Sequence, residues 1–91
     1  MEKISVVIIT YNEARNIERC LASIKNIADE IILVDSHSTD ETVTIAESFG
    51  AKVYQKEFIS YATQKNFANE QTNNRYILSL ALGIMGALLF L

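Results

Sequence analysis

Residues 4–35 read ISVVIITYNEARNIERCLASIKNIADEIILVD, two apolar runs held apart by a polar stretch of different period. The first run, ISVVIIT (4–10), is continuous and rich in β-branched side chains. A strand wet on one face alternates apolar and polar residues. An unbroken run fits a strand buried on both faces, as in a parallel sheet. From residue 12 the period changes: Ile17, Cys20, Leu21 and Ile24 recur at helical spacing, with Glu13, Arg15, Glu18, Arg19 and Lys25 left for the wet face. This predicts a helix over 12–25. EIILVD (30–35) then repeats the character of the first run. Strand, helix and strand in so short a span make one right-handed crossover unit, which requires a parallel sheet.

The rest of the chain continues the alternation. SHSTDETVTIAESFG (36–50) predicts a second helix, with Ser38 and Glu41 spaced as a capping box and Gly50 suited to the position past the helix end. AKVYQ (51–55) reads as a short third strand. SYATQKNFANEQ (60–71) reads as a third helix with Ser60 as its N-cap, and RYILSL (75–80) as a fourth strand after an Asn73-Asn74 turn. No proline interrupts any of these elements.

At 91 residues the chain has room for one small domain with a modest core. A net charge of −3 argues against a nucleic-acid partner, which demands a basic face. Cys20 is the single cysteine, so no internal disulfide is expected; it falls on the apolar stripe of the first helix and reads as a core residue. The N-terminus lacks the basic segment and cleavage site of a signal peptide, so a cytoplasmic protein, or one at the cytoplasmic face of a membrane, is expected.

Ligands of parallel sheets bind beyond the carboxyl ends of the strands, which directs attention to the residues that follow each one. After the first strand come Thr10, Tyr11, Asn12 and Glu13; after the second, Asp35, Ser36, His37, Ser38, Thr39 and Asp40. An aromatic ring can stack on a base, and a carboxylate can accept from an imide N–H or a ribose hydroxyl. The plainer reading is that Asn12, Glu13 and Asp40 cap helices. With glycine only at 50, 83 and 86, there is no phosphate loop of the dinucleotide or P-loop kind. His37 has no evident partner and reads as a surface-loop residue rather than a general base. Tyr54, Phe58 and Tyr61 are expected to cover the sheet edge. Lys65 suits either a nucleotide diphosphate or a solvated helix face.

SVVIITYNEARNIERCLASI (5–24), EIILVDSHSTDETVTIAESFGAKV (30–53) and QKNFANE (64–70), in that order, resemble the N-terminal half of a family 2 glycosyltransferase. The look is closest to the β-glucosyltransferases of the lipopolysaccharide core, and the resemblance covers residues 4–80. It implies an α/β fold: a truncated GT-A (Rossmann-like) three-layer sandwich whose parallel sheet has about four strands in the order 3-2-1-4. It implies that Thr10, Tyr11 and Glu13 line the base and ribose and that Asp35 contacts the base. It gives Ser38 and Asp40 a structural role, and brings Lys65 and Asn66 to the nucleotide. The partner implied is a nucleotide-sugar donor, typically a uridine diphosphate sugar.

The family places two carboxylates after the fourth strand to hold the donor and a magnesium or manganese ion. Here Ala81, Leu82 and Gly83 stand there, and no carboxylate follows Glu70. No catalytic residue, metal ligand or cofactor is therefore assigned to this chain, and the catalytic base is expected beyond residue 91. The activity implied is inverting sugar transfer to a saccharide or lipid-linked acceptor in cell-envelope polysaccharide synthesis, with this chain inactive alone. The competing reading is a non-catalytic nucleotide-binding or membrane-associated interaction module.

The apolar end from Tyr76 to Leu91 holds 16 residues, short of the roughly 20 a spanning helix needs. The expected division is a nucleotide-sugar-binding part, 1–80, and an apolar tail, 81–91, that packs on the sheet or touches a membrane surface. The abrupt change at Ala81 reads as a truncated or frame-shifted product.

Overall fold

The two apolar runs become the middle of the sheet. The computed structural model describes residues 2–83 and 86–90. The elements are β1 (Ile4–Thr10), α1 (Ala14–Ile24), β2 (Glu30–Asp35), α2 (Thr42–Ser48), β3 (Lys52–Gln55), α3 (Tyr61–Glu70), β4 (Tyr76–Gly83) and β5 (Gly86–Phe90). The sheet order is β3-β2-β1-β4-β5. The first four strands are parallel, in the expected 3-2-1-4 order; β5 adds an antiparallel edge beside β4.

Strand periodicity sorts the core into two layers. Val6 and Ile8 of β1 and Leu33 of β2 meet Ile17, Leu21 and Ile24 of α1 and Ala46 of α2. Val7, Ile32 and Val34 point the other way, onto Ala68 of α3, with Tyr54, Phe67 and Ile77 around them. Both faces of β1 and β2 are thus covered, which is why these strands carry no polar alternation. Full burial of one such Val, Leu or Ile side chain stabilises the fold by roughly 1.5–3 kcal/mol.

Helix ends account for the differences from the sequence reading. α2 begins at Thr42, well after residue 36, and its N-cap residue Glu41 makes no side-chain cap bond. The Ser38–Glu41 capping box is not formed, because the Ser38 hydroxyl is bonded to Asp35 instead. At the other end the expectation holds. Gly50, at φ 82°, donates its N–H to the Glu47 carbonyl, and Ala51 donates to that of Ala46. That pair of bonds is a Schellman closure, and glycine takes its left-handed position without a Cβ penalty. Ser60 caps α3 as expected, in a capping box completed by Thr63.

β4 runs three residues past Leu80, where the sequence reading ended it. Ala81 and Leu82 pair with Ile9 and Thr10 of β1 and are buried, so the strand continues as long as β1 offers a partner. Residues 86–90 form a strand where an apolar extension was expected, while 84, 85 and 91 of that stretch lie outside the described residues. Among the described residues no helix is long and apolar enough to cross a membrane.

Candidate functional site

Crossovers leave β1 in opposite directions: α1 carries the chain to β2 on one side, and α3 returns it to β4 on the other. The switch in strand order thus falls at the carboxyl ends of β1 and β4, where open α/β sheets form a crevice. A cleft of about 540 Å³ opens there. Its floor is Ile9, Thr10 and Leu82; Tyr11, Asn12 and Glu13 form one wall, Ser36 and His37 another, and Glu57, Phe58 and Tyr61 the outer rim.

The loops that make the walls are latched by one carboxylate. Asp35 is fully buried. Its Oδ1 accepts from the Thr10 hydroxyl at 2.7 Å and from the Ser38 hydroxyl, and its Oδ2 accepts from the Ser38 amide at 2.8 Å. A buried polar group costs free energy unless its atoms are hydrogen-bonded, and these oxygens are. Ser38 passes the connection on, since its Oγ accepts from the Asn12 amide at 2.8 Å. Asn12 in turn accepts from the Thr39 amide through Oδ1, at 2.8 Å.

Both walls turn by the same device. Asn12 (φ 50°) and His37 (φ 58°) are left-handed, each two residues beyond the paired strand ends Thr10 and Asp35. Left-handed backbone is uncommon outside glycine, and Asn and His are among the residues that tolerate it best. Each is held by a neighbour: Asn12 as described, and His37 by its amide donating to Gln55 Oε1 at 2.9 Å.

Asp40 serves two helices at once. Its Oδ2 accepts from the Ala14 amide at the start of α1, 3.1 Å away. Its Oδ1 accepts from the amide and hydroxyl of Thr42 at the start of α2. Desolvation would raise the Asp40 carboxyl, but these bonds outweigh it and hold the group below the ordinary aspartate value. The Thr42 hydroxyl also accepts from the Glu13 amide at 2.9 Å. The structural reading of Ser38 and Asp40 thus has a geometric basis.

Of the five residues singled out for a nucleotide, Thr10, Tyr11 and Glu13 line the cleft; Asp35 and Lys65 are not among its lining residues. Asp35 lies beneath the wall with both oxygens engaged by protein donors, and Lys65 stands one turn beyond Tyr61 on α3. Phe58 and Tyr61 do not cover the sheet edge. They pack edge-to-face at the rim, ring centroids 5.1 Å apart, and both stay exposed. Tyr54, on the edge strand β3, packs in the α3 layer against Phe67. Sequence reasoning passed over Gln64, which is fully buried and donates through Nε2 to Ser36 Oγ at 3.1 Å. A glutamine at an apolar-face position of α3 was the available signal.

No group of three or more His, Cys, Asp or Glu among the described residues could hold a metal ion. At the end of β4, Ala81 and Leu82 bring no side-chain oxygen to the cleft floor, and a hard dication needs oxygen ligands. The residues present do not fit a magnesium or manganese site.

A family model described as "Glycosyl transferase family 2" matches residues 5–80, from β1 to within β4. The chain belongs to glycosyl transferase family 2. An uncharacterised glycosyltransferase of Rickettsia bellii is 57% identical over 79 residues, which cover 87% of this chain and 27% of that protein. A second, from Rickettsia felis, is 55% identical over 80 residues, 88% of this chain and 28% of its own length. The chain thus spans little more than a quarter of these relatives. Among solved structures, it is similar to glucosyl-3-phosphoglycerate synthase from Mycobacterium tuberculosis, in complex with Mn2+, uridine diphosphate and glucosyl-3-phosphoglycerate. The TM-score is 0.76 at 26% identity, covering 88% of this chain and 33% of that one. Mannosyl-3-phosphoglycerate synthase from Rubrobacter xylanophilus shares the fold, with a TM-score of 0.77 at 22% identity over 88% of this chain and 30% of its own.

Proposed function

We propose that this chain is the nucleotide-binding part of an inverting family 2 glycosyltransferase, and that its cleft takes the uridine nucleotide of a diphosphate-sugar donor. One observation carries the reading: a cleft at the carboxyl ends of β1 and β4, with an exposed tyrosine and a carboxylate on one wall and two aromatic rings at its rim. Tyr11 offers a face on which a base can stack, and Glu13 an acceptor for a ribose hydroxyl. Asp35 supports the wall from below, and Lys65 is this chain's candidate for the diphosphate. The Mycobacterium tuberculosis structures, which hold uridine diphosphate or its glucose conjugate with Mn2+, favour this donor class.

The finer reading follows the motif resemblance: a sugar passed to a saccharide or lipid-linked acceptor during lipopolysaccharide or other cell-envelope synthesis, at the cytoplasmic face of the membrane. These residues bind and orient the donor. Among the described residues no carboxylate pair stands at the end of β4, and on this reading the chain alone does not turn over. The test is calorimetric titration of the 91-residue chain with uridine diphosphate, with and without manganese. The expected result is binding that manganese does not strengthen. Absence of binding in both arms refutes the reading.

A further inference from the structure

Glu13 stands at the N-cap of α1 and also lines the cleft. An N-cap side chain ordinarily accepts from the unpaired amides of the first turn. Glu13 makes no such bond. Its own amide donates to the Thr42 hydroxyl at 2.9 Å, and the Ala14 amide donates to Asp40 Oδ2 at 3.1 Å. Two amides at the start of α1 are thus served from outside the helix, and the Glu13 carboxylate is left out of the capping. It is not left loose. Asn16, one turn on, donates through Nδ2 to Glu13 Oε1 at 3.2 Å. Asn16 Oδ1 in turn accepts from Arg19 Nη2, also at 3.2 Å. Residues three apart share a helix face, so the three side chains form a row along α1.

Both ends of that row have fixed polarity. A guanidinium only donates and a carboxylate only accepts. Turning the Asn16 amide over would set its NH2 against the guanidinium and its oxygen against the carboxylate, so its orientation is determined. Among the described residues, Asn16 is the one side chain that donates to the Glu13 carboxylate. A glutamate without such a partner samples many rotamers, and ordering it on binding weakens the complex. A bond made beforehand removes part of that cost. We propose that Asn16 is a positioning residue that holds the Glu13 carboxylate in place for a ribose hydroxyl of the bound nucleotide. The assignment rests on the nucleotide-binding reading above and deepens it.

The experiment is calorimetric titration of the 91-residue chain, Asn16→Ala and Asn16→Asp. Each is titrated with uridine diphosphate and with its 2′,3′-dideoxy analogue, which lacks both ribose hydroxyls. Alanine suits a helix by propensity and aspartate suits its first turn by charge, so neither change should harm α1, and a urea titration verifies this. Asn16→Ala is expected to weaken uridine diphosphate binding about threefold to tenfold, the cost of ordering one long side chain, and to leave the analogue unaffected. Asn16→Asp should weaken it further, because a carboxylate at 16 repels Glu13. The analogue carries the same diphosphate and corrects for the added charge. A residue that served only the helix would give the opposite result, since aspartate there is favourable. Combined with Glu13→Ala, Asn16→Ala should have no effect. Equal losses for the two ligands, unchanged affinity for uridine diphosphate, or a loss that persists with Glu13→Ala overturns the proposal while leaving the nucleotide site intact. No binding by the unmodified chain overturns the nucleotide site and this assignment together.

Discussion

Asp35 shows how one residue can stand in a motif for a reason other than contact with a ligand. Three donors converge on it from the ends of both central strands. Asp35→Ala would leave the buried Thr10 hydroxyl, and the half-buried Ser38 hydroxyl and amide, without their acceptor. An unsatisfied buried donor costs about 1–3 kcal/mol, so the variant should be visibly destabilised in a urea titration at pH 7. Tyr11 is the opposite case. It is 54% exposed at the cleft, and its ring contributes little to the core. Tyr11→Ala should leave the urea midpoint in place and weaken uridine diphosphate binding by about 1–3 kcal/mol, the range for an aromatic platform under a base. Affinity unchanged by this variant would remove Tyr11 from the site. At this scale the sequence was partly legible. The position of Asp35 after an apolar strand marked it as a carboxylate in need of partners. Those partners are Thr10 and Ser38, 25 and three residues away, and no local pattern announces the pairing. Ser38 itself was misread for the same reason. The S-x-x-E spacing matches a capping box, while the hydroxyl has a stronger, charged acceptor within reach.

Among the elements, strands and helix ends with local causes were readable, and those with tertiary causes were not. β1 and β2 declare themselves by unbroken apolar runs, and α3 by a Ser60 cap that is made within four residues. The start of α2 is set instead by Asp40, which also caps α1, so the two helices share one N-terminal support. A second carboxylate, Glu30, fastens the opposite end of the sheet. It accepts from the Ser5 hydroxyl and from the Asn73 amide and side chain, with Lys52 at 3.7 Å. Desolvation raises Glu30, but those hydrogen bonds and the Lys52 charge outweigh it and hold it below the ordinary glutamate value. Both groups are depressed in the folded chain, so what they contribute is present above the ordinary carboxylate pKa of about 4 and lost as pH falls through their folded values. Denaturant midpoints should be level near neutrality and fall in acid. Asp40→Asn keeps a capping side chain without the charge, and should narrow the gap between midpoints at neutral and acid pH. An undiminished gap would mean that Asp40 has no part in the acid response.

The whole molecule is a sheet built outward from β1, and its edge is where the sequence reading and the structure differ most. The apolar run that follows Arg75 has no polar punctuation to mark a strand end, so the sequence offers no physical signal for a boundary at Leu80. The structure takes the boundary from β1, which still has Ile9 and Thr10 to pair. Ending the chain at Leu80 should therefore lower its thermal midpoint. It removes buried Leu82, a side chain that contributes roughly 1.5–3 kcal/mol, together with buried Ala81. An unchanged or raised midpoint would show that these residues add nothing to the core. The parallel pairing of β1 with β4 has a consequence for how the chain is made. Ile4 pairs with Tyr76, 72 residues later (76 − 4), whereas on the other side of β1 Ser5 pairs with Glu30 of β2, only 25 residues later (30 − 5). On a ribosome adding about 5–20 residues per second, β1 waits roughly 4–14 seconds for its second neighbour. Throughout that interval an apolar strand stands with one edge bare, and a nascent chain in that state is a natural client for a chaperone.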